Sequence, residues 1–356
     1  MIEINYRPST PKDYNPPIGL IGCGGITEHH LQAYKNAGFQ VVALCDLDRQ
    51  AAEKRALEYF PEAAIFTDYK DLLRRDDVEV LDIATHPPSR PPIIRDSLNA
   101  GKHVLSQKPF VLDLDVGKEL VDLADRNNVR LAVNQNGRWA PHFSYMRSAV
   151  ENGVLGEISG VHMSVHWDHT WTKGTEFEKV KHLILYDFAI HWFDMVNCLL
   201  AKETPRQVFA SIAKTRRQEI MPPLLGQALI EFDHAQASLA FDADTDVGNN
   251  DRSYVTGTKG SIHANGKSYQ DLSLQMDYRD GVDEDPKTIR PNLDGKWFPD
   301  GFHGTMGELL CSIEEKRKPT IDAERNLKSL AMCFAAVASA ESGQPQVPGE
   351  IRTMPK

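Results

Sequence analysis

The chain has 356 residues, 41% of them hydrophobic and 25% charged, which is enough apolar material for about two cores of ordinary globular size. Its formal net charge of -10 argues against the basic footprint of a nucleic-acid or anionic-membrane binder, so neither partner is expected. The five cysteines, at 23, 45, 198, 311 and 333, make no CxxC pair, no apolar run approaches a membrane span, and the start has no basic-then-apolar leader, so a cytoplasmic setting is expected.

Residues 1–17 hold four prolines and several charges and read as an extended arm. From there strand and helix alternate. Ile18 to Ile21 is a short apolar strand, residues 26–37 a helix, Val41 to Cys45 a β-branched strand and residues 48–59 a helix. Val80 to Ala84 is a buried strand, and the helix over 91–100 stops at Gly101. A strand over 103–106, a helix over 114–127 and a strand over 130–133 complete the half. Strands spaced by helices mean parallel βαβ units, so residues 18–137 are expected to form a Rossmann-type, doubly wound α/β domain.

The first turn of this half carries chemistry. Gly22-Cys23-Gly24-Gly25-Ile26-Thr27 lies between strand and helix, where glycines let the backbone approach a pyrophosphate and the helix start offers free N–H groups. Asp46 follows the second strand about 20 residues later, the spacing of a carboxylate that binds ribose hydroxyls. Thr27 stands in place of the third glycine of the fingerprint. A carboxylate at 46 repels a 2′-phosphate and favours NAD, while the nearby Arg49 keeps NADP as the alternative.

Residues 138–356 read as an α+β domain. Residues 143–151 are helical, and Ile158 to Trp167 forms a long strand with Val161, Met163, Val165 and Trp167 on one face. Further strands are expected over 207–213, 225–232, 237–241, 253–256 and 272–276, mostly joined by turns and therefore largely antiparallel. Helices over 305–316 and 323–341 close the chain. Residues 186–200 are expected to form one helix with Asp187, His191 and Asp194 on a shared face at i, i+4 and i+7, beside an apolar stripe. If that helix is covered, its ionisable groups need partners.

These motifs resemble the glucose-fructose oxidoreductase, inositol dehydrogenase and rhizopine-catabolism oxidoreductase family, over residues 18 to about 348. The markers are the Gly22–Ile26 turn, Asp82-Ile-Ala-Thr85, Ala100-Gly-Lys-His-Val104, Lys108-Pro109, Arg138-Trp139-Ala-Pro141, the Asp187, His191, Asp194 set and Gly257-Thr-Lys-Gly260. The resemblance implies Lys108, Asp187 and His191 as catalytic residues. It implies a cofactor set of Gly22, Gly24, Gly25, Ile26, Asp46, Thr85, His86, Pro87, Gln107, Lys108 and Asn136. The substrate implied is a sugar or polyol, and the assembly a homodimer or homotetramer.

His191 suits a general base because an unperturbed imidazole titrates at about 6.5. Lys108 can hydrogen-bond the reacting oxygen, and Asp187 can orient substrate or tune His191. Aromatic faces suit the C–H face of a sugar ring, so Arg138, Trp139, Trp167, His169, Tyr186 and His303 are the substrate candidates, with Trp171 and His166 in the wider set. Three positions depart from the family pattern: Gln107 for glutamate, His86 for proline and Arg90 for histidine. The lead-in Val180 to Tyr186 also replaces a glycine-rich stretch.

Three other readings compete. Tightly held NAD could oxidise a sugar transiently, for elimination, epimerisation or glycoside cleavage without net redox. The dense His and Asp residues over 162–194 could hold a metal for isomerisation or hydrolysis, although no fixed ligand spacing appears and none is assigned. A non-enzymatic NAD(H) sensor is the last.

Overall fold

In the computed structural model, which describes residues 4–281 and 283–355, the first half alternates as the sequence predicts. Residues 1–3 of the expected arm, and residues 282 and 356, lie outside the described residues. Strands β1 (Pro17–Ile21), β2 (Gln40–Cys45), β3 (Ala64–Phe66), β4 (Val80–Ile83), β5 (His103–Gln107) and β6 (Leu131–Asn134) form one sheet in the order β3-β2-β1-β4-β5-β6. Every pairing in it is parallel. Helices α1 (Thr27–Ala37), α2 (Arg49–Tyr59), α3 (Tyr69–Leu73), α4 (Arg90–Asn99) and α5 (Leu114–Arg126) connect the strands. The strand order reverses between β1 and β4, so ligand chemistry belongs at the carboxyl ends of those two strands.

Local signals explain the connections. Gly38 ends α1 in a left-handed conformation (φ 75°). The Asp48, Asp68 and Asp113 carboxylates cap α2, α3 and α5 by accepting main-chain N–H groups. Sequence reading passed over β3 and α3, which are three and five residues long and too short for a period to show.

The second sheet has eight strands. After α6 (Pro141–Glu151) come β7 (Ile158–His166), α7 (Ile190–Leu199), β8 (Pro205–Ala213), β9 (Leu225–Phe232), β10 (Gln236–Asp242), β11 (Asp251–Gly257), β12 (Gly260–Ser268), β13 (Asp271–Tyr278) and β14 (Lys287–Ile289). Their order is β14-β13-β12-β11-β7-β10-β9-β8. Only β7 with β10 is parallel, so the sheet is mainly antiparallel, as expected. The strand β12 has no counterpart among the strands expected from sequence, because glycines open it and interrupt it.

The end of the chain departs from the expected division at residue 137. Helix α8 (Asp300–Glu314) belongs with the parallel sheet, and α9 (Ala323–Ser342) follows it. Phe302, Met306, Leu309 and Leu310 of α8 share one core with Ile18, Leu20, Leu31 and Tyr34. A methyl group on Gly304 would overlap Trp139, and one on Gly307 would overlap the main chain of Ser9, so both glycines permit close approach. The first compact unit is therefore 7–139 with 297–327, and the second is 4–6, 140–296 and 328–355. The arm is ordered by α8: the Glu314 carboxylate accepts the main-chain N–H groups of Lys12, Asp13 and Tyr14 at 3.0, 2.7 and 3.0 Å.

Candidate active site

The glycine turn after β1 has the geometry of a dinucleotide cradle. Gly22 holds φ +95°, and a methyl there would meet the Ala84 carbonyl carbon at 3.0 Å and the Thr85 nitrogen at 3.1 Å, so the position needs glycine. A methyl on Gly24 or Gly25 would meet nothing within 4 Å, so open space lies over the start of α1. That helix has no side-chain cap, which leaves its first N–H groups for an anion. Ile26 stands at its N-cap and is exposed. The Asp46 carboxylate is fixed beside the turn: Oδ2 accepts the Cys23 N–H at 2.6 Å and Oδ1 the Asp48 N–H at 2.9 Å. Arg49 points its guanidinium to Glu53, at 2.7 Å. Burial, with Asp46 alongside, pushes the Cys23 thiol up to about 12, so it stays protonated.

Across the switch point, Thr85, His86 and Pro87 follow β4. The Thr85 Oγ1 is buried with no hydrogen-bond partner among the described residues, and a buried polar atom of this kind calls for a ligand or a water. An open cradle at a bare helix start, a fixed carboxylate and this hydroxyl together fit a dinucleotide. Gly22, Gly24, Gly25, Ile26, Asp46, Thr85, His86 and Pro87 are thus gathered at one edge of one sheet.

Lys108 follows β5 at the same edge. Its N–H donates to the Gln107 Oε1 at 2.7 Å. The Gln107 amide nitrogen lies 2.9 Å from the His30 Nε2, and the His30 Nδ1 lies 2.6 Å from the Asp82 Oδ2. The Tyr34 hydroxyl donates to the same Asp82 oxygen at 2.6 Å. Arg90, in the first turn of α4, is 1% exposed and donates to the main-chain oxygens of Thr85, Gln107 and Pro109, and to that of Phe110 at 3.4 Å. Sequence reading named Arg90 only as a departure and did not single out His30 at all.

In the second unit the single helix expected over 186–200 is two pieces. Residues Leu183–Phe188 form a π-helical turn, closed by the Ala189 N–H on the Ile184 carbonyl at 2.8 Å, and α7 begins at Ile190. Asp187 lies in the π-turn and His191 in the first turn of α7, so no regular helical face joins them to Asp194. Turns of this type are frequent at functional sites. Asp194 is taken up structurally: its carboxylate accepts the Ser329 hydroxyl at 3.0 Å. His191 is 7% exposed, with Trp192 edge-on at 6.3 Å.

An aromatic cluster lies close to Asp187 along the chain. His169 stacks on Trp167 (5.3 Å, 14°), and Phe188 lies 4.3 Å from it. Trp171, 56% exposed, reaches both Phe177 and Phe188. Burial lowers His169 to about 4, which keeps its ring neutral at physiological pH. The Trp167 indole nitrogen donates to the Asp251 carboxylate, and the His166 Nδ1 is 2.9 Å from the Asn250 carbonyl oxygen.

Several expected ligand residues also make contacts within the fold. The Asn136 Oδ1 accepts the Trp297 indole N–H at 2.7 Å. Arg138 is buried and donates to the Thr320 carbonyl at 2.7 Å, and Trp139 packs on Gly304. Tyr186 is 5% exposed, with its ring towards Phe334. His303 meets Thr10 at 2.9 Å and the edge of Phe39, just before β2 and so at the amino end of the parallel sheet. The substrate assignment of His303 is corrected accordingly, since residue types in a sequence do not show which end of a sheet they occupy, whereas Asn136, Arg138 and Trp139 directly follow β6 at its carboxyl end. Among the described residues, no three His, Cys, Asp or Glu side chains converge to hold a metal.

Comparison with known proteins bears on both units. Residues 17–135 match the model of an oxidoreductase family with an NAD-binding Rossmann fold, and residues 143–263 match the GFO/IDH/MocA C-terminal domain. The chain is 25% identical to inositol 2-dehydrogenase of Rhizobium meliloti over 335 residues, covering 90% of this chain and 96% of that one. It is 27% identical to D-apiose dehydrogenase of Paraburkholderia graminis over 256 residues, 63% of this chain and 67% of the relative. The fold is shared with an oxidoreductase from Agrobacterium radiobacter crystallised with NAD+, L-tartaric acid and magnesium. That structure has a TM-score of 0.82 and 19% identity, covering 94% of this chain and 99% of that one.

Proposed function

The chain belongs by both its domains to the GFO/IDH/MocA oxidoreductase family, the first with its NAD-binding Rossmann fold, and on that premise we propose that it moves a hydride between NAD and a secondary alcohol or ketone of a sugar, polyol or sugar derivative. The observation that carries this reading is that the glycine cradle, Asp46 and Lys108 share the carboxyl edge of one parallel sheet. The named substrates of the inositol and apiose relatives support the substrate class.

Bound NAD supplies the hydride acceptor. The start of α1 and the Gly22–Gly25 turn would hold its pyrophosphate, and Asp46 a ribose. We assign NAD over NADP because Asp46 is fixed there as a carboxylate while Arg49 is engaged with Glu53. Lys108 is assigned the hydrogen bond to the reacting oxygen, which steadies negative charge as the hydroxyl proton leaves. His191 is assigned the proton, and Asp187 the orientation of substrate or of His191. Trp167 and His169 are assigned to the substrate's C–H face and hydroxyls. Lys108→Ala and His191→Ala should keep NADH affinity and lose turnover by about 100-fold or more. Near-normal rates in both variants, on the substrate found by screening sugars and polyols, would place the chemistry elsewhere.

The assembly proposed is a homodimer or homotetramer through the open face of the eight-stranded sheet. One row crosses it as Phe209, Leu229, Ser238, His162, Tyr254 and His263, each opposite the next. Phe209, Leu229 and Tyr254 are exposed there, and apolar residues so placed ask for a cover. Five cysteines without a disulfide fit the cytoplasmic setting.

A further inference from the structure

We propose that Arg90 and Gln107 are positioning residues that fix the main chain of Lys108 from two sides, an inference that rests on the reading of Lys108 as the group at the reacting oxygen. The peptide between Gln107 and Lys108 has one N–H and one C=O. The Gln107 side chain takes the first and Arg90 the second. Arg90 also takes the next carbonyl, that of Pro109, and on its other side the carbonyl of Thr85. One guanidinium therefore brackets the loops after β4 and β5, and its fork of donors is rigid.

The placement of this cation is unfavourable on two counts. It is almost wholly buried, and it lies in the first turn of a helix, where the macrodipole disfavours positive charge. Main-chain carbonyls from the two loops offset those costs. A carbonyl cluster is a device for holding backbone, and the backbone held is that of Lys108 and Thr85.

Gln107 adds a constraint on orientation. The Lys108 N–H can donate only to the amide oxygen, so the amide nitrogen faces His30 and must donate. The His30 Nε2 is then the acceptor, and the Nδ1 proton goes to Asp82. A proton on the His30 Nε2 would oppose the Gln107 amide and turn it, removing the acceptor from Lys108. The amide and the imidazole tautomer thus lock each other, and the Lys108 N–H is the end of the chain of bonds.

The test compares wild type, Arg90→Ala, Arg90→Lys and Gln107→Met as full-length, NADH-titrated protein. Two readouts are used: the pH dependence of trace acetylation at Lys108, followed by mass spectrometry, and kcat and KM on the screened substrate. Arg90→Ala should keep NADH affinity within a few fold, change the Lys108 acetylation profile and lose about 100-fold in kcat, the cost of a small misplacement. Millimolar guanidinium should restore part of that kcat in Arg90→Ala and none in Lys108→Ala. Gln107→Met should shift acetylation in the same sense by a smaller factor, and it decides the matter if Arg90→Ala does not fold. Folded variants with the wild-type acetylation profile and wild-type kcat overturn the proposal. If Lys108→Ala retains full activity, the functional reading fails, while acetylation still reports whether the clamp sets the lysine.

Discussion

Two of the three residues that depart from the family pattern, Gln107 and Arg90, meet at the main chain of Lys108. Read singly, each was a neutral or basic replacement with no evident partner, because the carbonyls that answer Arg90 come from residues up to 20 positions away. Lys108 itself was named through the family resemblance, of which the Lys108-Pro109 pair is one marker. A buried histidine should add to acid sensitivity. His142 is fully buried between Phe143 and Tyr269, and its Nε2 has no hydrogen-bond partner among the described residues. Burial lowers it to about 3. The unfolded chain takes a proton at about 6.5, so stability falls as the pH drops from there towards the folded value, by about 1.4 kcal/mol per pH unit. His142→Phe keeps the ring packing and should remove this term. Chemical denaturation at pH 7 and pH 5 should then show a loss smaller by about 2 kcal/mol than in wild type, and an unchanged loss would show that His142 is not the group.

At the scale of elements, periodicity read long helices and strands well and short or irregular ones poorly. The strand β9 falls where alternation placed it, over 225–232. The π-turn at Leu183–Phe188 was invisible, because five hydrophobic or aromatic residues around one Asp fit an α-helix equally well. Its consequence is that Asp187 and His191 do not share the simple i, i+4 face that the spacing implied. Helix α8 was found, but its partner was not: an apolar stripe names a buried face without naming what covers it. The arm depends on that helix through Glu314, whose carboxyl the three main-chain N–H groups hold below its usual range. Glu314→Ala should leave the arm accessible, so limited proteolysis should cut between residues 7 and 16 at concentrations that spare the wild type. Equal resistance would mean that packing of the arm, and not Glu314, retains it.

At the scale of the whole molecule, the nucleotide-binding unit is discontinuous in sequence: residues 297–327 complete a core begun at Ile18. A boundary drawn at residue 137 was reasonable from motif order and missed this return, since a long-range core contact leaves no periodic trace. Phe209→Lys with Leu229→Lys places two charges opposite each other on β8 and β9, and light scattering should move from a dimer or tetramer towards a monomer. A wild-type monomer at micromolar concentration would contradict the assembly, and an unchanged oligomer in the double variant would move it to another face.

The most direct test of the central claim is a titration of the purified protein with NADH and NADPH, followed by nicotinamide fluorescence, beside Gly24→Ala. That added methyl meets nothing in the protein within 4 Å, so the variant should fold and lose affinity only because it enters the cofactor's space. Binding should be saturable, tighter for NADH than for NADPH, and markedly weakened in Gly24→Ala at unchanged melting temperature. Folded wild-type protein that binds neither nucleotide would contradict the central claim.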